Sequence, residues 1–197
     1  MSRNSSSALE HCHQFSENNL NRRRFLKLGA LSALAGIFPR SAFGSSAGAQ
    51  PERFLAFYNT HTGERLKTVY WVQGNYISDS LGEIDHILRD HRTNEVLNID
   101  TQLLDLLFAL RNELDTSQPF HIISGYRSPQ TNAFLHRNSS GVAENSLHLV
   151  GKAIDIRTPG RSLTVLRNAA VTLKGGGVGY YPKSDFVHVD VGRVRYW

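Results

Sequence analysis

Two short runs late in the chain, AIDIR (Ala153–Arg157) and FVHVDV (Phe186–Val191), restrict the fold more than any other feature of the sequence. Successive side chains of a strand point to opposite faces. Ile154 and Ile156 therefore share one face of the first run, and Val187, Val189 and Val191 share one face of the second, both suited to a core. The other faces carry Asp155 and, on the second run, His188 with Asp190. A carboxylate taken out of water is costly unless a cation meets it. If the two strands are neighbours, Asp155 and His188 converge and can share that cation. His148 lies seven residues before Asp155, an odd offset that puts it on the wrong face of one continuous strand, but Gly151 stands between them and can bend the chain back.

The remainder of the sequence predicts the scaffold. Phe54, Ala56, Tyr58 and then Leu66, Thr68, Tyr70 alternate with their neighbours around the turn residues NTHTG, which reads as a hairpin. Ser78–Asp90 suits a helix with Ser or Asp at its start. A stronger helix follows Asp100 as its cap, with Leu103, Leu107, Leu110 and Leu114 on one face. Phe120–Tyr126 reads as a strand, and Ser128 with Pro129 opens a further helix, since Pro is tolerated at the first helical position. Asn138–Ser146 lacks periodicity and reads as a loop. A last helix covers Ser162–Leu173, KGGGVGYYPKS reads as turns, and FVHVDVG as the final strand. Strands towards both ends with helices grouped between them predict a single α+β domain over residues 50–197, built on a mainly antiparallel sheet.

Residues 1–49 read as an export leader. Arg22, Arg23, Arg24 and Lys27 precede an apolar stretch from Leu28 to Phe38, and small residues follow. That stretch is well short of the roughly twenty residues that span a bilayer, which makes it a signal rather than an anchor. Arg22-Arg23-Arg24-Phe25-Leu26-Lys27 resembles a twin-arginine export signal, with Asn21 where Ser or Thr is usual. Cleavage after Gly44 and cleavage after Ala49 both fit. The whole chain holds 22 Lys+Arg against 17 Asp+Glu, but six of the basic and two of the acidic residues lie in the leader, which leaves a net charge of +1. Nucleic acid as a partner thereby loses its electrostatic footing. The sole cysteine, Cys12, also lies in the leader, so the mature protein is no cysteine enzyme and suits an oxidising compartment such as the periplasm.

Two imidazoles and a carboxylate with a fourth position open form a standard hydrolytic zinc shell. His148, Asp155 and His188 supply that set, and Zn²⁺ is the expected cofactor. Asp190 shares their face, either orienting His188 from behind or forming a plain salt bridge. His61, His86, His91, His121 and His136 read as structural or exposed, and Tyr126, Tyr180 and Tyr181 as core or groove-lining aromatics.

SLHLVGKAID (Ser146–Asp155) resembles, at each fixed position, the Ser-x-His-x-x-Gly-x-Ala-x-Asp signature of the zinc peptidases of the D-alanyl-D-alanine dipeptidase and carboxypeptidase type, related to VanX and to the Hedgehog fold. The second half of that signature is an acid three residues before the second His; here it is Asp185 in SDFVHVD, where that group has Glu. SGYRSPQTN (Ser124–Asn132) is similar to the segment that holds a substrate-steadying arginine. NTHTGERL, ILRDHRTNEV and HVDVGRVRYW look like the YcbK-like branch of murein endopeptidases, and the likeness runs from Arg53 to Trp197.

The resemblance implies zinc held by His148, Asp155 and His188, Asp185 as general base, Arg127 on the substrate carbonyl or a nearby carboxylate, and Ser146 behind the ligands. It implies an exported enzyme that cuts peptidoglycan stem-peptide cross-links, with bonds between meso-diaminopimelate residues as the target of that branch. Two alternatives stay open: a D-alanyl-D-alanine-type carboxypeptidase, and a non-catalytic zinc-containing wall-binding module, which Asp in place of Glu leaves in play.

Overall fold

The computed structural model describes residues 51–139 and 141–197; the predicted leader, its twin-arginine motif and its cleavage site lie outside them. Two strands, β1 (Glu52–Asn59) and β2 (Arg65–Val72), form the expected hairpin. Asn59 closes the turn, its Oδ1 accepting from the backbone N–H groups of His61 and Thr62. A short β3 (Asn75–Tyr76) extends the sheet beside β2. Helix α1 (Ser78–Ile87) starts without either expected side-chain cap: Ile77 occupies the cap position, and its N–H donates to Tyr70 O. Helix α2 (Thr101–Glu113) is capped by Asp100, which accepts from Gln102 N at 2.9 Å. Leu103, Leu104, Leu107 and Leu110 are fully buried beneath it, each stabilising the fold by about 1.5–3 kcal/mol.

Beyond α2 come β4 (Phe120–Ser124), α3 (Pro129–Asn138), β5 (Ala153–Arg157), α4 (Leu163–Leu173), β6 (Gly177–Tyr181), β7 (Phe186–Asp190) and β8 (Arg195–Tyr196). Among the described residues they complete one eight-stranded sheet in the order β3-β2-β1-β4-β5-β7-β6-β8. The fold is α+β as predicted, but the sheet is mixed: β1–β4 and β6–β8 pair in parallel, and the other pairs are antiparallel. The long crossover through β2, β3, α1 and α2 permits the first parallel pair, since parallel neighbours need such a connection. The second arises from β8, a strand absent from the sequence reading. Strand β6 forms where the sequence marks only turns, because Gly177 and Gly179 supply no side chains to mark an alternation.

Ile154 and Ile156 of β5 and Val187 and Val189 of β7 join the core with α2 and α4, while Asp155 and His188 turn to the other face. That face is covered too: Asp155 is only 2 % exposed. Residues 142–144 are tied down on this side by Asn132 Nδ2, which donates to Ala143 O and Glu144 O, and by a bond between His136 Nδ1 and Val142 O.

One carboxylate outside the sheet organises the approach to it. Asp90 is buried and accepts from Ser128 N and Arg92 N, both at 2.9 Å. Burial alone would raise its pKa, but these bonds and one from the Thr131 hydroxyl outweigh it and bring the group to about 2. Because the folded value lies below the unfolded one, the contribution is present above pH 4 and is lost as the pH falls through about 2. It amounts to about 2 kcal/mol. Denaturant melts at pH 5 and pH 2.5 should therefore show less acid destabilisation in Asp90→Asn than in the wild type; equal slopes would contradict this.

Candidate metal centre

Strands β5 and β7 pair in the register that sets Asp155 directly opposite His188. His148 reaches them from a 3-10 turn, Leu147–Val150, that precedes β5. Ser146 caps the turn, its hydroxyl accepting from His148 N at 3.3 Å. Gly151 ends it with φ +66, and a Cβ there would meet Asn98 O at 2.6 Å, so only glycine allows both the left-handed bend and the close approach. The odd offset between His148 and Asp155 is thus absorbed by a turn and a bend.

Three donor atoms converge. His148 Nε2 lies 3.2 Å from His188 Nδ1 and 3.3 Å from Asp155 Oδ1, and His188 Nδ1 lies 2.9 Å from the same oxygen. Metal–ligand bonds of 2.0–2.1 Å in a tetrahedral shell imply donor separations of about 3.3 Å. The outer nitrogens both have acceptors that can take the ring protons. His148 Nδ1 faces Gly125 O at 2.6 Å, an atom that only accepts, and His188 Nε2 faces the Asp190 carboxylate at 2.9 Å. With the protons of neutral rings on these outer nitrogens, both inner nitrogens present lone pairs to one another and to the carboxylate oxygen. Three lone pairs with no hydrogen between them fit a cation, and these residues are a group able to hold a metal ion. Burial drives His148 towards its neutral form. For His188 burial is opposed and outweighed by Asp155 and Asp190, which raise its pKa. Asp155 lies well below the usual carboxylate range because the two imidazoles overcome the penalty of burial.

Asp190 both orients His188 and forms a salt bridge. Fully buried, it accepts from Gly177 N at 3.0 Å, Gly192 N at 2.8 Å and Arg195 Nη2 at 2.7 Å as well as from His188. Burial is again outweighed by these donors, and the carboxyl lies well below its usual range. A carboxylate behind a metal-binding histidine holds the ring in place.

Arg127 comes to the centre through a β-bulge. Ile122 pairs with Ile156 but Ser124 pairs with Asp155, so one extra residue on β4 swings the following chain towards the donors. Arg127 Nη2 then forms a close ion pair with Asp155 Oδ2, and its Nε donates to Ser124 Oγ at 2.8 Å. The carboxylate it meets is the chain's own.

Asp185 does not join this group. It stands in the turn before β7 at φ +56, and its exposed carboxylate pairs with Arg157. Its neighbours Ser184 and Phe186 line the cleft over the metal donors, while Asp185 lines a separate hollow with His121 and Arg161. Tyr181 borders the cleft; Tyr126 is buried, and Tyr180 bonds with Thr164.

Two residues beyond the predicted set complete the cleft. The Trp197 indole lies 5.4 Å from the His188 ring between centroids, and its Nε1 donates to Tyr181 OH at 2.7 Å. Arg195 sits 4.9 Å from the Trp197 ring while it binds Asp190. Gly179 makes room, since a Cβ there would meet the indole at 2.7 Å. The only trace of this in the sequence is the pairing of glycines in GVGYY with a basic and aromatic RYW further on.

A family model described as peptidoglycan L,D-endopeptidase MepK matches residues 47–197. The peptidoglycan L,D-endopeptidase MepK of Escherichia coli (strain K12) is 42 % identical over 177 residues, covering 90 % of this chain and 97 % of that protein. The probable peptidoglycan L,D-endopeptidase MepK of Haemophilus influenzae is 40 % identical over 178 residues, covering 90 % and 95 %. No solved structure matches the chain. With donors that fit a metal, and with agreement over nearly the full length of both relatives, the chain belongs to the MepK family of peptidoglycan L,D-endopeptidases.

Proposed function

We propose that this protein is an exported, zinc-dependent endopeptidase that hydrolyses stem-peptide cross-links of peptidoglycan. The observation that carries the reading is the convergence of three donor atoms, His148 Nε2, Asp155 Oδ1 and His188 Nδ1, in a cleft of about 450 Å³. Peptide hydrolysis needs an electrophile and an activated water in one place. A divalent ion, when bound, supplies Lewis acidity at the scissile carbonyl and lowers the pKa of a water. Zinc suits an N₂O donor set of this size.

The chain's own groups then divide the work. Asp190 and Gly125 O fix the two imidazoles in their ligating tautomers. Arg127 holds the second oxygen of Asp155; its Nη1, with no hydrogen bond among the described residues, is the group free to meet the substrate carbonyl. Asp185 takes the proton from water and returns it to the leaving amine, a role that requires its pair with Arg157 to open. In this reading the bond cut joins meso-diaminopimelate residues, the compartment is the periplasm, and the twin-arginine machinery delivers the protein there. Among the described residues no helix is long and apolar enough to cross a membrane.

Digestion of purified sacculi tests the proposal. Cross-linked muropeptide dimers should decline in favour of monomers, a chelator should stop the reaction, and added Zn²⁺ should restore it. Loss of terminal D-alanine with dimers intact would assign the protein to the carboxypeptidases instead.

A further inference from the structure

Besides the donor histidines His148 and His188, four basic side chains, His61, Arg92, Arg127 and Arg195, line the cleft, and among the described residues the one acid that lines it is Asp155. Arg127 is held by Asp155 and Arg195 by Asp190. Arg92 differs from both: its backbone N–H is anchored on Asp90, yet its guanidinium has no carboxylate or hydrogen-bond partner among the described residues. The residue before it is also fixed, for the His91 ring stacks on His61 at 3.8 Å with planes 6° apart, and His61 Nε2 bonds to Ile123 O at the end of β4. A cation on an anchored backbone, lining a cleft and lacking a counter-ion among the described residues, is poised for an anion that arrives with the ligand.

The sheet order gives that cation a side. His61 follows β1, Ser124 ends β4, Asp155 and His188 lie on β5 and β7, Tyr181 ends β6 and Trp197 follows β8. The cleft therefore runs from the end that holds Arg92, across the metal donors, to an aromatic end where Arg195 is already paired with Asp190.

We propose that Arg92 is a specificity-determining residue that binds a free carboxylate of the peptide on the β1/β4 side of the metal centre, and so fixes the direction in which the peptide lies. The less charged part of the ligand then rests against Tyr181 and Trp197. The proposal deepens the peptidoglycan reading and rests on it for the choice of probe.

The test is a binding titration of the zinc-loaded protein with an uncross-linked stem peptide, in its free-acid form and with its carboxylates converted to carboxamides. Wild type should prefer the acid form by about 20-fold. Arg92→Gln should bring the two forms near parity and Arg92→Lys should retain part of the preference, since an ammonium keeps the charge but not the planar fork. With a cross-linked substrate the Arg92→Gln defect should appear in KM. An unchanged preference in Arg92→Gln, or no preference in wild type, overturns the proposal. Failure of wild type to cut cross-links while the acid preference stands would instead overturn the endopeptidase reading and leave the subsite intact.

Discussion

Asp155→Asn should empty the metal centre and stop hydrolysis, with kcat/KM falling by on the order of 10³-fold or more. The amide keeps the shape of the side chain but removes the charge that faces His148 and His188 at 3.3 and 2.9 Å. It also deprives Arg127 of its partner, and that guanidinium side chain is only 12 % exposed. Removing one member of a buried ion pair costs about 3–5 kcal/mol, so the variant should melt earlier even in the absence of metal. Metal content after dialysis, measured by mass spectrometry beside a thermal melt, separates the two effects. A variant that retains one ion and native turnover would show that the donors lie elsewhere.

Asp185→Asn should lower kcat by on the order of 10²-fold while leaving the bound ion in place, as expected for loss of a general base. Arg157→Ala is its counterpart. An ion pair with both side chains 39 % or more exposed is weak, so freeing Asp185 disturbs the fold little and should sustain or raise kcat. Asp tolerates the left-handed backbone found at this residue, and relaxation there would carry the carboxylate from Arg157 towards the cleft bordered by its neighbours Ser184 and Phe186. Unchanged kcat in Asp185→Asn would exclude it as the base. Absence of turnover in the wild type, with zinc bound, would favour a wall-binding module.

The sequence exposes most of the metal centre because its logic is local. Alternation in AIDIR and FVHVDV assigns the faces of Asp155 and His188, and Gly151 announces the bend that recovers His148. Capping by Asp100 and Ser128 is readable for the same reason, each acting within three residues of itself. What stays hidden depends on distant chain. The β4 bulge that delivers Arg127 to Asp155 exists only against β5. Strands β6 and β8 pair beside the close approach of Trp197 to Gly179, which no periodicity of two residues encodes. The pair of Asp185 with Arg157 spans 28 positions and competes with the role its motif suggests.

His148 and His188 are separated by 40 positions, and the segment between them contains β5, α4, β6 and the first residues of β7. An ion bridging the two rings would act as a reversible staple across that whole stretch, closing a loop in the folded chain that the unfolded chain leaves open. By mass action such a staple is worth about 4 kcal/mol when free metal stands a thousandfold above its dissociation constant. Scarcity of metal would then shorten the lifetime of the protein as well as silence it, because the unstapled chain opens more often to proteolysis.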